Sequence, residues 1–401
     1  MKTVKRIFAC LLLFCLLCGL SACNKQTDIG SEWVWAYNQR GAFSDKGYYF
    51  LASGFLRFVD TTSGVSVCLC SKAGCLHDQE PDHRKSESCE ARLIGSSMIT
   101  PLFFCNDNLY YILRDQYGSH LYRRDATGAN LETVATLGEK YIEDQRDVTV
   151  YAYAVADGFL YYSADVDGSV RTEDGGNMVQ WISNYLGRLD LQTGKEEILL
   201  DKSDVYITLC AVKGNEALLH TAGIPDAAYD DPNYRQLRLE MPATLQHWNG
   251  TNGQVCTLLE KTVQKFPGVN IVDNDKLYYT SSLESASGVY TYDLHTNKLE
   301  AVQLDGLRHM GNGYALSWDA DKEQWRLYDL NTKKELFNAL NNEGFVVMTI
   351  SNEGVVIKRT VEDHNAGDQQ IYSYIKYASL ADGLQEQDLM DFYSQSVTVE
   401  N

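Results

Sequence analysis

The sequence predicts an all-β fold: a β-propeller of seven four-stranded blades, with six or eight also compatible because the first and last units are irregular. Three observations lead there. Short aromatic and β-branched runs bounded by Gly, Asn and Asp follow one another along the 401 residues, as strands joined by tight turns do. Long stretches with apolar residues at helical spacing are missing. Two turn-and-strand phrases also alternate, each returning at roughly 40–60 residue intervals, which is the period of a propeller blade.

The first phrase is a polar turn followed by an apolar, often doubly aromatic strand. It appears as Asp107-Asn108-Leu109-Tyr110-Tyr111, Asp157-Gly158-Phe159-Leu160-Tyr161-Tyr162 and Gly214-Asn215-Glu216-Ala217-Leu218-Leu219. It returns as Asn274-Asp275-Lys276-Leu277-Tyr278-Tyr279, at Gly311-Asn312-Gly313-Tyr314, and at Asn352-Glu353-Gly354-Val355. The second phrase is a strand ending in an acidic or amide turn. Its copies begin at Asp60, Asp125, Asp190, Asn249, Asp293 and Asp329, with a degraded form at Ala381-Asp382-Gly383. Asp or Asn suits the first turn position because its side chain accepts backbone amides two residues on, and Gly or Asn then takes the positive φ that closes the turn. Adjacent tyrosines on a strand face opposite sides. Both can be buried if each unit packs against a neighbour on either face. The strand that closes the ring is expected from Trp33-Val34-Trp35 or from Ser396-Val397-Thr398-Val399.

Ahead of these units, Lys2, Lys5 and Arg6 form a basic head, an apolar run extends from Ile7 to about Leu20, and Leu20-Ser21-Ala22-Cys23 follows. That order reads as a secretory signal with a small-residue cleavage site, and the run is short for a membrane span of ~20 apolar residues. The tetrad resembles the lipobox of bacterial lipoproteins, which implies cleavage before Cys23 and lipidation of its sulfur. The expected organisation is a signal over 1–22, a lipidated cysteine and tether over 23–32, and a propeller domain over 33–401 with a Cys/His insert at 68–92. The expected location is the extracellular face of the cell membrane, with the membrane reached through the lipid.

The chain carries a formal charge of -19, and removing the three basic residues of the leader leaves about -22. Such a balance excludes nucleic acid as an expected partner, because phosphate neutralisation needs clustered Lys and Arg. The charge is spread over turns, as on a solvated surface.

Besides Cys23, seven cysteines follow the leader: Cys68, Cys70, Cys75, Cys89, Cys105, Cys210 and Cys256. An odd number cannot pair completely within one chain. Cys70-x4-Cys75-x-His77-x11-Cys89 has the donor types and number that close a tetrahedral structural Zn²⁺ site, with His83 or Cys68 as alternative ligands. The competing reading is a disulfide, for example Cys75 with Cys89, which an extracellular location permits. Four protein ligands leave no open position for catalysis.

Taken together, the tetrad ending at Cys23, the Cys70, Cys75, His77 and Cys89-Glu90-Ala91 insert and the repeats resemble uncharacterised Gram-positive gut lipoproteins of the Firmicutes type. The resemblance implies a propeller-like body carried at the surface on a lipid, with an unspecified ligand. Ala73 departs from the proline expected before Gly74.

Catalytic signatures are not evident. The chain holds no Gly-x-Ser-x-Gly elbow, phosphate-cradling loop or His-Glu-x-x-His helix. The 8 histidines are scattered, and His220 and His247, which share one unit, read as hydrogen-bonded or surface side chains. Asp165, Asp167, Glu173 and Asp174 offer oxygen ligands for Ca²⁺, but their spacing misses the regular loop and suits a solvated hairpin tip. Tyr229, Asp230, Asp231 and Tyr234 lie in a tyrosine- and acid-rich insert suited to recognition. The expected function is a lipid-anchored extracellular binding or scaffold protein that presents propeller loops to a protein or glycan. The alternative is a surface polysaccharide hydrolase or lyase with its site at one mouth of the channel.

Overall fold

In the computed structural model, the described residues run from 33 to 396. They omit connecting segments, of which the longer are 78–86, 94–100, 172–176, most of 225–242, 263–269, 282–287, 362–368 and 377–389. The described strands form seven antiparallel sheets, drawn in chain order from residues 41–68, 102–137, 147–202, 205–262, 270–302, 307–340 and 345–396. Each contributes four consecutive strands as an up-and-down meander. These are the blades of a propeller.

The first strand of each blade lies at the centre of the ring. Gly41–Phe43 touches Leu102–Cys105 of the second blade, and Tyr153 in the first strand of the third donates its hydroxyl to the Leu102 carbonyl at 2.9 Å. Asp147–Ala156 then touches Val205–Lys213, and so on through Asn270–Val272, Leu307–Gly311 and Phe345–Ile350 back to Gly41–Phe43.

The tyrosine pairs divide as expected. Tyr49 packs toward the second blade with Leu102, Leu109 and Tyr111, whereas Tyr48 packs toward the seventh with Tyr372, Tyr374 and Phe392. Tyr110 and Tyr111 face the third and first blades respectively. Tyr162 and Tyr161 face the second and fourth. Each hydroxyl must still be satisfied in the dry interface. Tyr49 donates to the Ala126 carbonyl at 3.0 Å and Tyr161 to the Gly214 carbonyl at 2.9 Å. Tyr49 and Tyr161 therefore join blades by area and by one polar bond each.

The closing device differs from the expected one. All four strands of the first blade come from 41–68 and all four of the seventh from 345–396, so no strand is exchanged. The ring closes through side chains: Tyr48, Phe50 and Val59 pack on Met348, Val356, Tyr372, Tyr374 and Phe392, and Tyr48 Oη lies 2.8 Å from Thr349 Oγ1. Val34–Trp35 instead pairs with the inner strand of the fourth blade, Val34 opposite Val212 and Trp35 opposite Ala211. It thereby becomes a fifth, innermost strand of that sheet. The other candidate ends at Ser396, the last residue of the outer strand of the seventh blade, and Val397, Thr398 and Val399 lie outside the described residues. Among the described residues no helix is long and apolar enough to cross a membrane.

Candidate metal centre

The hairpin of Phe55–Val59 and Ser66–Cys68 turns at Asp60, whose carboxylate accepts the Thr62 and Ser63 amides. Beyond Cys68 the chain leaves the sheet, with a turn from Lys72 to Cys75 closed by the Cys75 amide on the Lys72 carbonyl at 3.3 Å. Gly74 sits there at φ 71° and His77 at φ 55°. Left-handed backbone of this kind is natural for Gly and uncommon for His. It is how the loop curls back within seven residues.

The returning arm lies beside the first blade. Leu56 donates to the Ala91 carbonyl at 2.7 Å, Leu93 donates to the Gly54 carbonyl at 2.9 Å, and Arg92 bridges Phe55. Cys89 is thereby brought over the outgoing arm. Donor atoms of Cys70, Cys75, His77 and Cys89 all lie within 4.8 Å of one another, with Cys89 Sγ 3.5 Å from His77 Nδ1. Cys89 is buried and the other three are half-buried. Three sulfurs and one imidazole at this separation form a Cys3His group able to bind a metal ion. The seven cysteines outside the leader are all present as free thiols.

The electrostatics are those of crowded thiols sharing protons. Burial pushes the Cys89 thiol up to about 12, with Cys75 and Cys70 adding to the shift against the Ala91 amide. Burial also raises Cys70, but the amides of Lys72 and Glu90 and the thiols of Cys89 and Cys75 outweigh it, so that Cys70 falls below its ordinary range. Amides aimed at one sulfur favour a thiolate there, and a dication among all four donors would favour thiolates throughout.

Among the described residues the loop's own apolar cluster is Phe55, Cys89 and Ala91, with Cys68, Cys70 and Cys75 packed against them, while Leu69 and Leu93 at its two ends enter the core between the first and second blades. Between those ends the apolar cluster is small, and small units of this kind use metal or disulfide staples.

Two residues that the sequence did not single out complete the mounting. Glu90 accepts the Ser71 amide at 3.0 Å and the Ser71 hydroxyl at 2.8 Å, tying the two arms together. Arg124, buried in the second blade, donates to the Glu90 carbonyl at 2.6 Å, to the Gly128 carbonyl at 2.9 Å and to Tyr111 Oη at 3.0 Å. Gly128 is required at that contact, since a Cβ there would stand 2.8 Å from Leu69 Cβ. An arginine beside a turn aspartate reads in sequence as a surface charge. Both faces of a blade are covered, so alternation does not mark it as buried.

Cys75, Leu76 and His77 also wall one side of a cleft of ≈ 810 Å³ between the first and seventh blades. Arg57, Ser66, Gln369, Asp391 and Tyr393 are among its other lining residues. Arg57 is buried, with its guanidinium 4.0 Å from the centre of the Tyr393 ring. Asp391 is the lone carboxylate among the described lining residues. Its oxygens accept Arg359 and the Ser373 hydroxyl, each at 2.6 Å.

The remaining expected sites are placed as follows. Cys68 packs beside the cluster but is not one of its four members, and His83 lies outside the described residues. Asp165 accepts the Asn184 amide at 2.5 Å. Asp167 is half-buried near Arg114 and Asp147, and burial raises its carboxyl pKa. Glu173 and Asp174 lie outside the described residues, as do Tyr229, Asp230, Asp231 and Tyr234. Cys23 does too. His247 stands 3.2 Å from Glu216, and His220 is buried in the second strand of the same blade.

No protein-family model and no curated protein matches the sequence. Among solved structures, a puromycin-hydrolysing peptidase of Mycobacterium tuberculosis aligns with a TM-score of 0.54 at 10% identity, covering 93% of this chain and 55% of that one. The present chain thus spans about half the length of that peptidase. An oligogalacturonate lyase in complex with manganese gives 0.49 at 12% identity over 87% of this chain and 92% of that one. TolB from Acinetobacter baumannii gives 0.38 at 12% over 85% and 76%. At these identities the likeness to the peptidase speaks for the propeller fold alone.

Proposed function

We propose that the protein is a lipid-anchored extracellular binding protein in which a structural Zn²⁺ at Cys70, Cys75, His77 and Cys89 stiffens one wall of a ligand cleft. The observation that carries this reading is the sharing of residues: Cys75 and His77 belong both to the Cys3His group and to the lining of the ≈ 810 Å³ cleft. A filled four-donor site positions that wall without offering a coordination site for catalysis. Recognition by rigidly held loops on a scaffold fits the location. The partner is an extracellular protein or glycan.

A polysaccharide hydrolase would canonically ask for two free carboxylates across the cleft. The lone described carboxylate there, Asp391, is already held by Arg359 and Ser373, which favours binding over hydrolysis.

The test is native mass spectrometry and metal analysis of the ectodomain from Asn24 onward, followed by glycan-array and protein-partner binding with and without the metal. One zinc per chain, with the cluster thiols alkylated only after chelation, supports the site. A mass lower by two hydrogens per bond and no zinc would instead establish disulfides. Binding that Cys89→Ser weakens and Cys256→Ser leaves unchanged supports the wall role.

A further inference from the structure

The cleft beside the metal centre runs between the outer edges of two blades. Its lining takes in the consecutive residues Ser66 to Cys68 on one side and Asp391 to Ser394 on the other. Ser66–Cys68 is the outermost strand of the first blade and Met390–Ser396 that of the seventh. A strand that ends a sheet presents backbone donors and acceptors to whatever lies beyond it.

Register fixes which groups those are. Asp60 donates its amide to the Val65 carbonyl at 3.1 Å, and Leu69 donates to the Leu56 carbonyl at 3.0 Å. Both belong to the pairing that sets Phe58 opposite Val67 and Val59 opposite Ser66. Hydrogen-bonded and non-hydrogen-bonded pairs alternate along an antiparallel ladder. Val67 therefore bonds inward, and the amide and carbonyl of Ser66 point away from the blade. Among the described residues neither has a partner. Ser66 Oγ is buried and without a hydrogen-bond partner as well. Buried hydroxyls are normally bonded, and here the chain does not supply the bond.

The edge is also unguarded by charge. The outer strands of the six other blades hold Glu132, Glu196, Glu260, Lys298, Lys334 and Asp391 respectively. Ser66–Cys68 holds no charged residue. Edge charges ward off added strands. On the opposite face from Ser66, Val65 and Val67 are open, at 59% and 48% exposure.

We infer that the cleft takes an extended polypeptide segment, which adds to Ser66–Cys68 as a fifth, antiparallel strand of the first blade. This rests on the proposed role of the cleft as the ligand site, and it selects a protein over a glycan as the partner. The residue opposite Ser66 exchanges two backbone bonds with it. Its side chain shares the face of Ser66 and Arg57, which is turned to Tyr393 of the seventh blade, and a Ser or Thr there reaches Ser66 Oγ. The residues on either side of it lie on the face of Val65 and Val67 and are apolar. The strand is three residues long, so the segment it fits is short and reads apolar, hydroxyl, apolar.

Fluorescence anisotropy with the full-length, zinc-loaded protein tests this. The probe is fluorescein-labelled Val-Thr-Val-Thr-Val amide, with one analogue N-methylated at both Thr and another at the central Val. Methyl groups on the Thr nitrogens remove the donor to the Ser66 carbonyl, whereas the central Val amide points away from the edge. The probe is expected to bind, the Val methyl to change little, and the Thr methyls to weaken binding at least about tenfold. Ser66→Pro should weaken the probe similarly with little change in melting temperature, because proline is tolerated where the amide faces outward. No binding at about 1 mM probe, equal affinity for the two analogues, or full binding by Ser66→Pro would overturn strand addition. The comparison of analogues uses wild-type protein and decides the matter even where Ser66→Pro does not fold. Glycan binding that Cys89→Ser weakens, with no peptide bound, would overturn strand addition and leave the cleft reading in place. Peptide binding that Cys89→Ser leaves unchanged would uphold strand addition and overturn the metal's role in the wall.

Discussion

The guanidinium of Arg124 donates to the backbone carbonyl of Glu90 across 2.6 Å, from the buried side of the second blade to the loop that holds the metal centre. Glu90 at the same time grips Ser71 through its carboxylate, so one residue closes the loop on itself and the other fastens it to the ring. Tyr111 and Gly128 take the remaining described bonds of Arg124.

Arg124→Ala should therefore cost about 2–4 kcal/mol in urea unfolding, since it orphans the buried Gly128 carbonyl and removes charge-assisted bonds to it and to the Glu90 carbonyl. Arg124→Lys should recover only part of this, because an ammonium cannot reproduce the planar fork. Zinc titration of the two variants should show weaker binding in the same order.

Chelation should destabilise the insert and leave the blades folded. With free zinc at ~100 times its dissociation constant the bound form gains about 2.7 kcal/mol, and that gain is lost on adding chelator. Limited trypsin digestion should then cut after the exposed Lys72 in the chelated protein and not in the zinc-loaded one. Equal cutting in both would count against the metal.

Asn184 is fully buried between the third and fourth blades. It donates to Tyr151 Oη at 2.7 Å and to Asp165 at 2.5 Å, and it accepts the Ile207 amide at 2.6 Å. Asn184→Ala should lower stability by about 2–4 kcal/mol, because the Ile207 amide and Asp165 lose a partner in a dry interface. Chemical denaturation of the purified protein measures it.

Two carboxylates should respond to pH with opposite sign. Burial raises Glu196, although Tyr162 and the Gly138 amide both donate to it, the latter at 2.8 Å. The folded chain then holds that proton longer than the unfolded one, so ionisation erodes stability as pH rises from the ordinary value of 4.5 through the raised one. Glu196→Gln keeps an acceptor and should melt higher than wild type at neutral pH, with the difference vanishing in acid.

Asp125 is lowered, first by the Thr127 hydroxyl and then by turn amides. Its stabilisation is present above the ordinary value of 3.8 and is lost as pH falls through the depressed one. Asp125→Ala should melt below wild type at pH 7, and the two should converge as pH falls through the depressed value. Thermal melts across that range separate the two cases.

Much of the fold is legible because it is local. The turn at Asp190 needs only its own neighbours, whose amides it accepts at 2.8 Å and 3.0 Å. Tyr161 and Tyr162 must point to opposite faces wherever they form a strand. Cys70, Cys75 and His77 lie within one short turn of chain, and their donor chemistry can be read before any contact is known. The partnership of Arg124 with Glu90 was not legible, and neither was the cleft floor at Arg57 and Tyr393. Each joins residues far apart in the chain whose types are ordinary where they stand.

By itself, the sequence determined the repeating blade, its turn chemistry and the donor set of the metal group, all products of short-range geometry and side-chain chemistry. Tertiary structure alone decided how the ring closes and where its first strand runs. Tyr48 meets Thr349 only because seven blades bring the ends of the chain together. Val34 pairs with Val212 because a central edge strand leaves amides and carbonyls to be satisfied.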